Sequence, residues 1–309
     1  MYIKQMQTQK DYTVGEWLDL WFEYYTQDLK DTTKNCYYYA RLRIKNFCLD
    51  IEDIKLRKLT QMQFQMVINA MGKKYAKSSI RHVIVVYSLA YTVACENGVC
   101  PANPIHKIKI PKCAKVREVL PLTKAEQKSF EEALKNLSMG DEFLIRFYLL
   151  TGLRLSECTN LEWQDWDKKT NFIYVKDSKS ENGIRKVPLL PQARKILGCL
   201  EIRNRCYKKS QYIFCRKDGI KLSKSKVEYI CEKASKIAQI RHTTPHMLRH
   251  SFATRMVEKK VSIKALAQIM GHSDVAFTLN TYAAPDKEFL MEQIMLLQQD
   301  ETEFENIVI

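Results

Sequence analysis

The densest cluster of polar residues is the segment TTPHMLRHSFATR, residues 243–255. Thr244 suits a helix N-cap and Pro245 the first helical position, which places His246 in the first turn of the predicted helix. Free backbone amides and the helix dipole favour an anion at that end. Arg249 follows on the same face, and its planar guanidinium can donate to two phosphate oxygens. The segment predicts a phosphate site, with a surface helix carrying scattered basic residues as the alternative.

His246 and His250 are four residues apart, which is the spacing of a helical pair of metal ligands. Met247 stands where the zinc motif HExxH has its glutamate, and the sequence offers no evident third ligand. We therefore predict no metal site and expect His250 to be packed or hydrogen-bonded in the interior. Three carboxylates are interpreted as a solvated turn rather than a two-metal centre: Glu162, Asp165 and Asp167.

Further side chains that could take part in a reaction lie at the ends of predicted elements. Arg154 lies in a tight turn between two helices, of which Ser156 can cap the second. Lys179 projects from a predicted hairpin, and His272 follows a glycine that ends a helix. Tyr282 lies at the end of another short helix, and it is one of 16 tyrosines, most of which must be packing residues. None of these positions identifies a reaction by itself.

A largely helical chain must position these residues, because 9 Gly and 8 Pro are too few for a turn-dense all-β protein. Two β-like runs, residues 172–175 and 186–189, flank a Glu-Asn-Gly turn that favours a hairpin. The remaining periodic segments have helical spacing. The predicted fold class is therefore mainly α with a small antiparallel β-sheet.

The N-terminal part of the chain carries the apolar periodicity of four helices, which together make a small bundle. They are expected near residues 14–25, 32–47, 60–72 and 78–98, the second capped by Thr32 or Thr33 and the fourth by Ser78 or Ser79. The longest apolar run, residues 82–95, is shorter than the roughly 20 residues that a membrane span needs. We interpret it as a buried core helix.

The helical pattern breaks at residues 100–116, which hold three prolines and no sustained periodicity. We predict a helical domain over residues 1–110, a linker over 111–117 and a second domain over 118–285. The tail, 286–309, has one basic and seven acidic residues around an apolar stripe. We expect it to contact a neighbouring protomer, with packing on its own chain as the alternative.

The charge balance indicates the class of partner. The 309 residues contain 50 Lys and Arg against 35 Asp and Glu, a formal net charge of +15. Such an excess favours a polyanion, first nucleic acid and second an anionic membrane surface. We expect eight basic residues of the N-terminal bundle to contact DNA: Lys34, Arg41, Arg43, Lys45, Lys73, Lys74, Lys77 and Arg81.

The hydrophobic content of 46% suits packed cores and excludes a disordered chain. The ten cysteines include no C-x-x-C pair, and the first ten residues show no apolar signal-peptide core. We therefore expect reduced thiols and a cytoplasmic protein. The segment before Tyr12 is too short for a further DNA-binding domain, so none is expected there.

Five motifs occur in a fixed order: GLRLSE from Gly152, SKSENGIRKVPL from Ser178, HMLRH from His246, MGHSD from Met270 and TLNTY from Thr278. Together they resemble the tyrosine recombinases, the integrase family of phages and conjugative elements, over residues 12–290. The resemblance implies a SAM-like core-binding bundle at the N-terminus followed by a catalytic domain over residues 118–285.

The resemblance also implies a role for each residue that matches a motif. Arg154 and Arg249 correspond to two arginines that clamp the phosphate, and Tyr282 to the nucleophile. Glu157 corresponds to an acid that steadies the first arginine, with an ordinary surface glutamate as the alternative. The remaining matches are His246, His272 and the hairpin lysine that protonates the leaving oxygen, Lys179, for which Lys176 is the second choice.

The implied function is site-specific DNA strand exchange through a 3′-phosphotyrosine, without a metal or other cofactor. The implied assembly is a homotetramer on double-stranded DNA, with an accessory or excisionase protein as a further partner and no membrane. The leading role is integration and excision of a mobile element. A Xer-like resolvase of chromosomes or plasmids is the close alternative, a type IB topoisomerase the second, and a non-catalytic DNA-binding protein the third.

Overall fold

The computed structural model describes residues 11–47, 49–116, 119–176, 184–206 and 210–272. The chain divides into two compact units, residues 1–118 and 119–309. Both are built mainly of helices, and the second also contains a three-stranded antiparallel sheet within the described ranges. The predicted fold class is confirmed.

The first unit contains four α-helices in its described part: α1 (Val14–Tyr25), α2 (Asp31–Lys45), α3 (Gln61–Met71) and α4 (Lys77–Glu96). Thr13 and Thr60 cap α1 and α3, each in a capping box that also satisfies its own backbone amide. The helix α2 begins before the expected caps Thr32 and Thr33, with Lys30 at its N-cap. The expected start of α4 at Ser78 or Ser79 is also late, because Ala76 occupies its N-cap.

The helix α4 is the central element of the first unit. Seven of its described side chains are buried, and the Trp17 indole donates a hydrogen bond of 2.7 Å to the Ala90 carbonyl. Among the helices of the described ranges, α4 alone is long and apolar enough to cross a membrane by length and composition. Its packing confirms the interpretation as a buried core helix. Residues beyond α4 join the same core, including Ile105 and Ala114.

A buried ion pair links α2 to the rest of this core. The Arg41 guanidinium donates to both carboxylate oxygens of Glu52 at 2.9 and 2.8 Å, and the Tyr87 hydroxyl donates to Glu52 Oε1 at 3.0 Å. Asp19 accepts a third bond from Arg41 at the solvent side, where its side chain is 72% exposed. Arg41, which the sequence predicts to contact DNA, thus donates to two carboxylates of the first unit in this structure.

The second unit contains seven α-helices in its described part: α5 (Lys124–Leu134), α6 (Met139–Thr151), α7 (Leu155–Thr159), α8 (Pro191–Cys206), α9 (Lys224–Ile237), α10 (Pro245–Glu258) and α11 (Ile263–Met270). Its sheet has the order β1 (Trp166–Asp167), β2 (Phe172–Val175), β3 (Arg185–Pro188), with all neighbours antiparallel. Ile173 pairs with Val187 and Val175 with Arg185. Strand β3 thus begins one residue before the predicted run.

The core of the second unit lies between the sheet and the helices around it. Fully buried side chains from α5, α6 and α10 pack with the inward residues of β2 and β3. Leu122 precedes α5, and its amide donates to the Ser251 hydroxyl of α10 at 2.8 Å. This bond fixes the start of the unit to the helix that carries the HMLRH motif.

The buried pair in the first unit leads to a stability prediction. Replacing Glu52→Ala removes the buried partner of Arg41 and of the Tyr87 hydroxyl and leaves Arg41 with the exposed Asp19, which we expect to lower the free energy of unfolding of this unit by about 3 kcal/mol. Asp19→Asn removes the exposed partner of the same guanidinium and is expected to cost less than about 1 kcal/mol. Hydrogen exchange of α2 and α4 amides in the full chain measures both. Equal effects of the two changes would contradict the structural role of the pair.

Candidate active site

Three arginines from three different elements meet at the C-terminal end of α11. Arg185 Nε donates to the Ile269 carbonyl at 2.6 Å, Arg249 Nη2 to the Met270 carbonyl at 2.7 Å, and Arg154 Nη2 to the Gly271 carbonyl at 2.6 Å. These successive carbonyls end a helix, where the dipole is negative and carbonyls lack partners along the chain. The helix end therefore gathers three guanidiniums in one place.

Gly271 makes this approach possible. Its backbone has a φ of +67°, and it ends α11 in the left-handed conformation that glycine adopts without strain. A Cβ at this position would lie 2.7 Å from Arg185 Nη1 and 3.1 Å from Arg154 Nη1. A side chain would thus displace two of the arginines that use the helix end.

Glu157 lies between two of the guanidiniums. Its Oε1 accepts from Arg154 Nη1 at 2.7 Å and from Arg185 Nη1 at 3.0 Å, and its Oε2 accepts from Arg185 Nη2 at 2.9 Å. Oε2 also accepts at 2.7 Å from the backbone amide of Arg154, which is the N-cap residue of α7. The expected cap Ser156 is therefore wrong. Burial raises the pKa of Glu157, but the Arg185 and Arg154 hydrogen bonds and charges bring that pKa below its usual value.

Arg249 lies on the buried side of α10, where it reaches across to the end of α6. Its Nη1 donates to the Gly152 carbonyl at 2.5 Å. Gly152 has a φ of +61°, and a Cβ there would overlap the Phe252 ring of α10. The close approach of these two helices thus depends on a glycine and places Arg249 beside Arg154.

Two imidazoles border the arginines. His272 follows Gly271 and is half-buried, and its Nε2 lies 3.3 Å from Arg249 Nη2. Burial together with the Arg249, Arg154 and Arg185 charges lowers the pKa of His272 to about 4. The ring is therefore neutral near pH 7, and because a guanidinium can only donate, Nε2 is the acceptor and Nδ1 carries the proton.

His246 lies at the surface in the first turn of α10, as its position after Thr244 and Pro245 predicts. Thr244 caps the helix through the Met247 amide. Partial burial of the imidazole and the Arg249 charge lower the pKa of His246 below its usual value. A neutral imidazole beside a cationic cluster is able to accept a proton.

The structure brings together four of the six predicted catalytic residues: Arg154, Arg249, His272 and, on the adjoining helix turn, His246. Lys179 and Tyr282 lie outside the described residues, as does the tail 286–309. The second-choice lysine, Lys176, forms an ion pair of 2.5 Å with Asp165.

Sequence reasoning missed Arg185 as a site residue. It belongs to the quoted motif SKSENGIRKVPL, and it begins a strand whose burial alternates, with Arg185 and Val187 inward and Lys186 and Pro188 outward. An arginine at the inward phase of a strand requires a buried acid. That alternation is the signal that was available.

Asp165 and Asp167, two of the three carboxylates interpreted above as a solvated turn, have structural roles. Asp165 is buried rather than solvated, and it accepts from the Glu162 amide in addition to its pair with Lys176. Asp167 caps the turn at Lys169 and Thr170. In the part of the chain that the structure describes, no group of three or more His, Cys, Asp or Glu side chains is arranged to hold a metal ion.

The basic residues expected to contact DNA differ in accessibility. Exposed side chains cluster at the turn into α4 and along its first turns: Lys73, Lys74, Lys77 and Arg81. On α2, Lys45 is exposed, Lys34 and Arg43 are half-buried, and Lys34 donates to the Gln27 carbonyl. The α3–α4 turn therefore offers the most accessible positive charge of this set.

Comparison with known proteins agrees with these features. The profile of the phage integrase family matches residues 121–288, and that of the phage integrase N-terminal SAM-like domain matches residues 13–72. Tyrosine recombinase XerA of Pyrococcus furiosus is 33% identical over 215 residues, 67% of this chain and 70% of that protein. Tyrosine recombinase XerC of Pseudomonas aeruginosa is 27% identical over 192 residues, or 61% of this chain, which spans 62% of the length of that relative.

Solved structures share the fold at low sequence identity. The Tn1549 transposon integrase, in complex with a circular intermediate DNA, has a TM-score of 0.79 at 19% identity, covering 93% of this chain and 99% of that chain. A lambda integrase dimer bound to a COC′ core site has a TM-score of 0.74 at 20% identity, with coverages of 87% and 77%. The resemblance carried by the five sequence motifs is confirmed, and the chain belongs to the phage integrase family of tyrosine recombinases.

Proposed function

We propose that this protein is a site-specific DNA recombinase that cuts and rejoins strands through a 3′-phosphotyrosyl intermediate. The supporting observation is the convergence of Arg154, Arg249 and His272 at one helix end, beside His246. A phosphodiester under attack gathers negative charge on its non-bridging oxygens. Guanidiniums already fixed by the fold stabilise that charge more in the transition state than in the ground state.

In the proposed reaction, the Tyr282 hydroxyl attacks the scissile phosphorus and its proton passes to His246. The bond to the 5′-oxygen breaks, and Lys179 protonates that oxygen as it leaves. A 5′-hydroxyl from the partner strand then attacks the phosphotyrosine, so the tyrosine is released and the backbone is resealed. Because the bond energy is retained in the covalent intermediate, the exchange requires no ATP.

Integration and excision of a mobile element is the specific role that we propose. This proposal is supported by the fold shared with the Tn1549 transposon integrase over 93% of this chain. The XerA and XerC relatives keep a Xer-like resolvase as the second candidate. Attachment repeats and an excisionase gene beside the coding sequence would distinguish the two roles.

The proposed assembly is a homotetramer on two DNA sites in the cytoplasm. We propose residues 1–110 as the core-type DNA-binding domain, 111–117 as the linker and 118–285 as the catalytic domain. The tail 286–309, with its acidic and apolar residues, is proposed to contact the adjacent protomer. Two solved structures that share this fold support the assembly on DNA: a lambda integrase dimer bound to a COC′ core site and a lambda integrase tetramer bound to a Holliday junction.

The first prediction concerns the nucleophile. Tyr282→Phe removes the phenol oxygen and is expected to abolish covalent adducts on a nicked suicide substrate, while DNA binding is retained. Tyr24→Phe, at an exposed tyrosine of α1, is the control and should form adducts at the normal rate. A denaturing gel detects the adduct, and an adduct formed by Tyr282→Phe rejects the assignment.

The second prediction separates the two lysines. Lys179→Ala is expected to slow cleavage about 100-fold or more, because the 5′-oxygen then leaves without a proton. A substrate with sulfur at that bridging position should restore the rate, since a thiolate needs no proton to leave. Lys176→Ala should have a small effect on either substrate. Rescue by sulfur of Lys176→Ala instead would assign the acid to Lys176.

The third prediction concerns the N-terminal DNA contacts. The double change Lys73→Gln and Lys77→Gln removes two exposed charges and should lower the slope of log affinity against log salt by about 2. Lys58→Gln, at an exposed lysine outside the α3–α4 turn, is the control. Titrations at several salt concentrations measure the slope. An unchanged slope in the double variant would place the DNA elsewhere.

A further inference from the structure

Arg185 is a buried cation whose acceptors include one carboxylate and one helix-end carbonyl. Its side chain is 4% exposed, and it forms two hydrogen bonds to Glu157 and one to the Ile269 carbonyl. A buried arginine loses its hydration, so such geometry persists only where the pairing is well satisfied. Each of its three guanidinium nitrogens already donates to Glu157 or to Ile269, so we take its part in the site to be indirect.

Arg185 is connected to the exposed part of the site through Glu157, which accepts hydrogen bonds from both Arg185 and Arg154. Glu157, itself 2% exposed, bonds Arg185 on one side and the Arg154 guanidinium and amide on the other. Arg154 is the accessible member of the three, with a side chain 35% exposed. The position of the accessible guanidinium thus depends on a carboxylate that Arg185 orients.

The net charge of Arg154, Glu157 and Arg185 also links Arg185 to the function of Arg154. Arg154 and Glu157 alone would form a neutral pair, and a neutral pair attracts a phosphate weakly. Arg185 adds a second positive charge to the same carboxylate and leaves the group of three at +1. In a partly desolvated site this difference is large, because Coulomb interactions are weakly screened there.

We propose that Arg185 is a positioning residue for the strand-transfer reaction: through Glu157 it fixes the Arg154 guanidinium and keeps that guanidinium from being neutralised by its own acid. This inference rests on the proposed recombinase function. Arg185 does not touch the DNA, so its removal should affect the rate of cleavage much more than DNA affinity.

A double-mutant cycle tests the route through Arg154. Arg185→Gln, which removes the charge, is expected to slow single-turnover cleavage of a nicked suicide substrate about 10- to 100-fold and to change DNA affinity less than about threefold. In the background Arg154→Lys, which cannot reproduce the bidentate geometry, the same change should cost less than about threefold. Equal losses in both backgrounds would overturn the proposal.

Two further variants separate charge from geometry and from folding. Arg185→Lys keeps the net charge but loses the two parallel bonds, so it should restore part of the rate that Arg185→Gln loses. Lys186→Gln changes the neighbouring outward residue, which lies over the Tyr174 ring, and should leave the rate unchanged. If Arg185→Lys is as slow as Arg185→Gln, the charge argument is wrong.

A measurement that needs no DNA cleavage tests the positioning role of Arg185 independently of the proposed recombinase function. Nitrogen-15 relaxation of the Arg154 Nε in the full chain should show an ordered side chain in the wild type and in Lys186→Gln, and a mobile one in Arg185→Gln. An Arg154 that stays ordered in Arg185→Gln overturns the positioning role even if the protein cleaves DNA. A wild type that forms no adduct rejects the recombinase function, while the relaxation result still decides whether Arg185 holds Arg154.

Discussion

The placement of Glu157 between two guanidiniums is the interaction on which the candidate site depends. Three positive charges meet at one helix end, and such a cluster would repel itself without a buried negative partner. Glu157 supplies that partner, and the carbonyls of Ile269, Met270, Gly271 and Gly152 accept further hydrogen bonds. The cost of desolvating the arginines is thereby met inside the protein, before any DNA is bound.

This arrangement has a direct consequence for catalysis. Donors that are held by the protein need not reorganise when charge develops on a phosphate, which is the condition for strong electrostatic stabilisation. Burial and, after it, the same cationic surroundings lower the pKa values of His272 and His246, so both imidazoles are neutral near pH 7. Neutral imidazoles are able to accept a proton or a hydrogen bond, whereas an imidazolium ion has two donors and no acceptor.

The first unit also pairs an arginine with a buried carboxylate, but there the pair stabilises the helical bundle. Arg41 is held by Glu52, and Tyr87 adds a hydrogen bond to the same carboxylate, so a basic residue of α2 becomes part of the core. Lys73 and Lys77, in contrast, have exposed side chains at the turn into α4. A count of basic residues therefore overstates the surface that is available to a polyanion, because part of the charge is internal.

The sequence by itself determined the helical fold class, the small hairpin sheet, the buried character of α4 and the family, because apolar periodicity and ordered motifs are local properties of the chain. It also predicted Arg154, Arg249, His246 and His272 as site residues through their motifs. Only the tertiary structure decided that Arg185 shares a carboxylate with Arg154, that Arg41 pairs with the buried Glu52, and that Arg154 rather than Ser156 is the N-cap residue of α7. These outcomes depend on which distant residues meet: Arg185 is 28 positions from Glu157 and 84 from Ile269. Burial then makes an unpaired charge so costly that the partner, and not the residue type, sets the role.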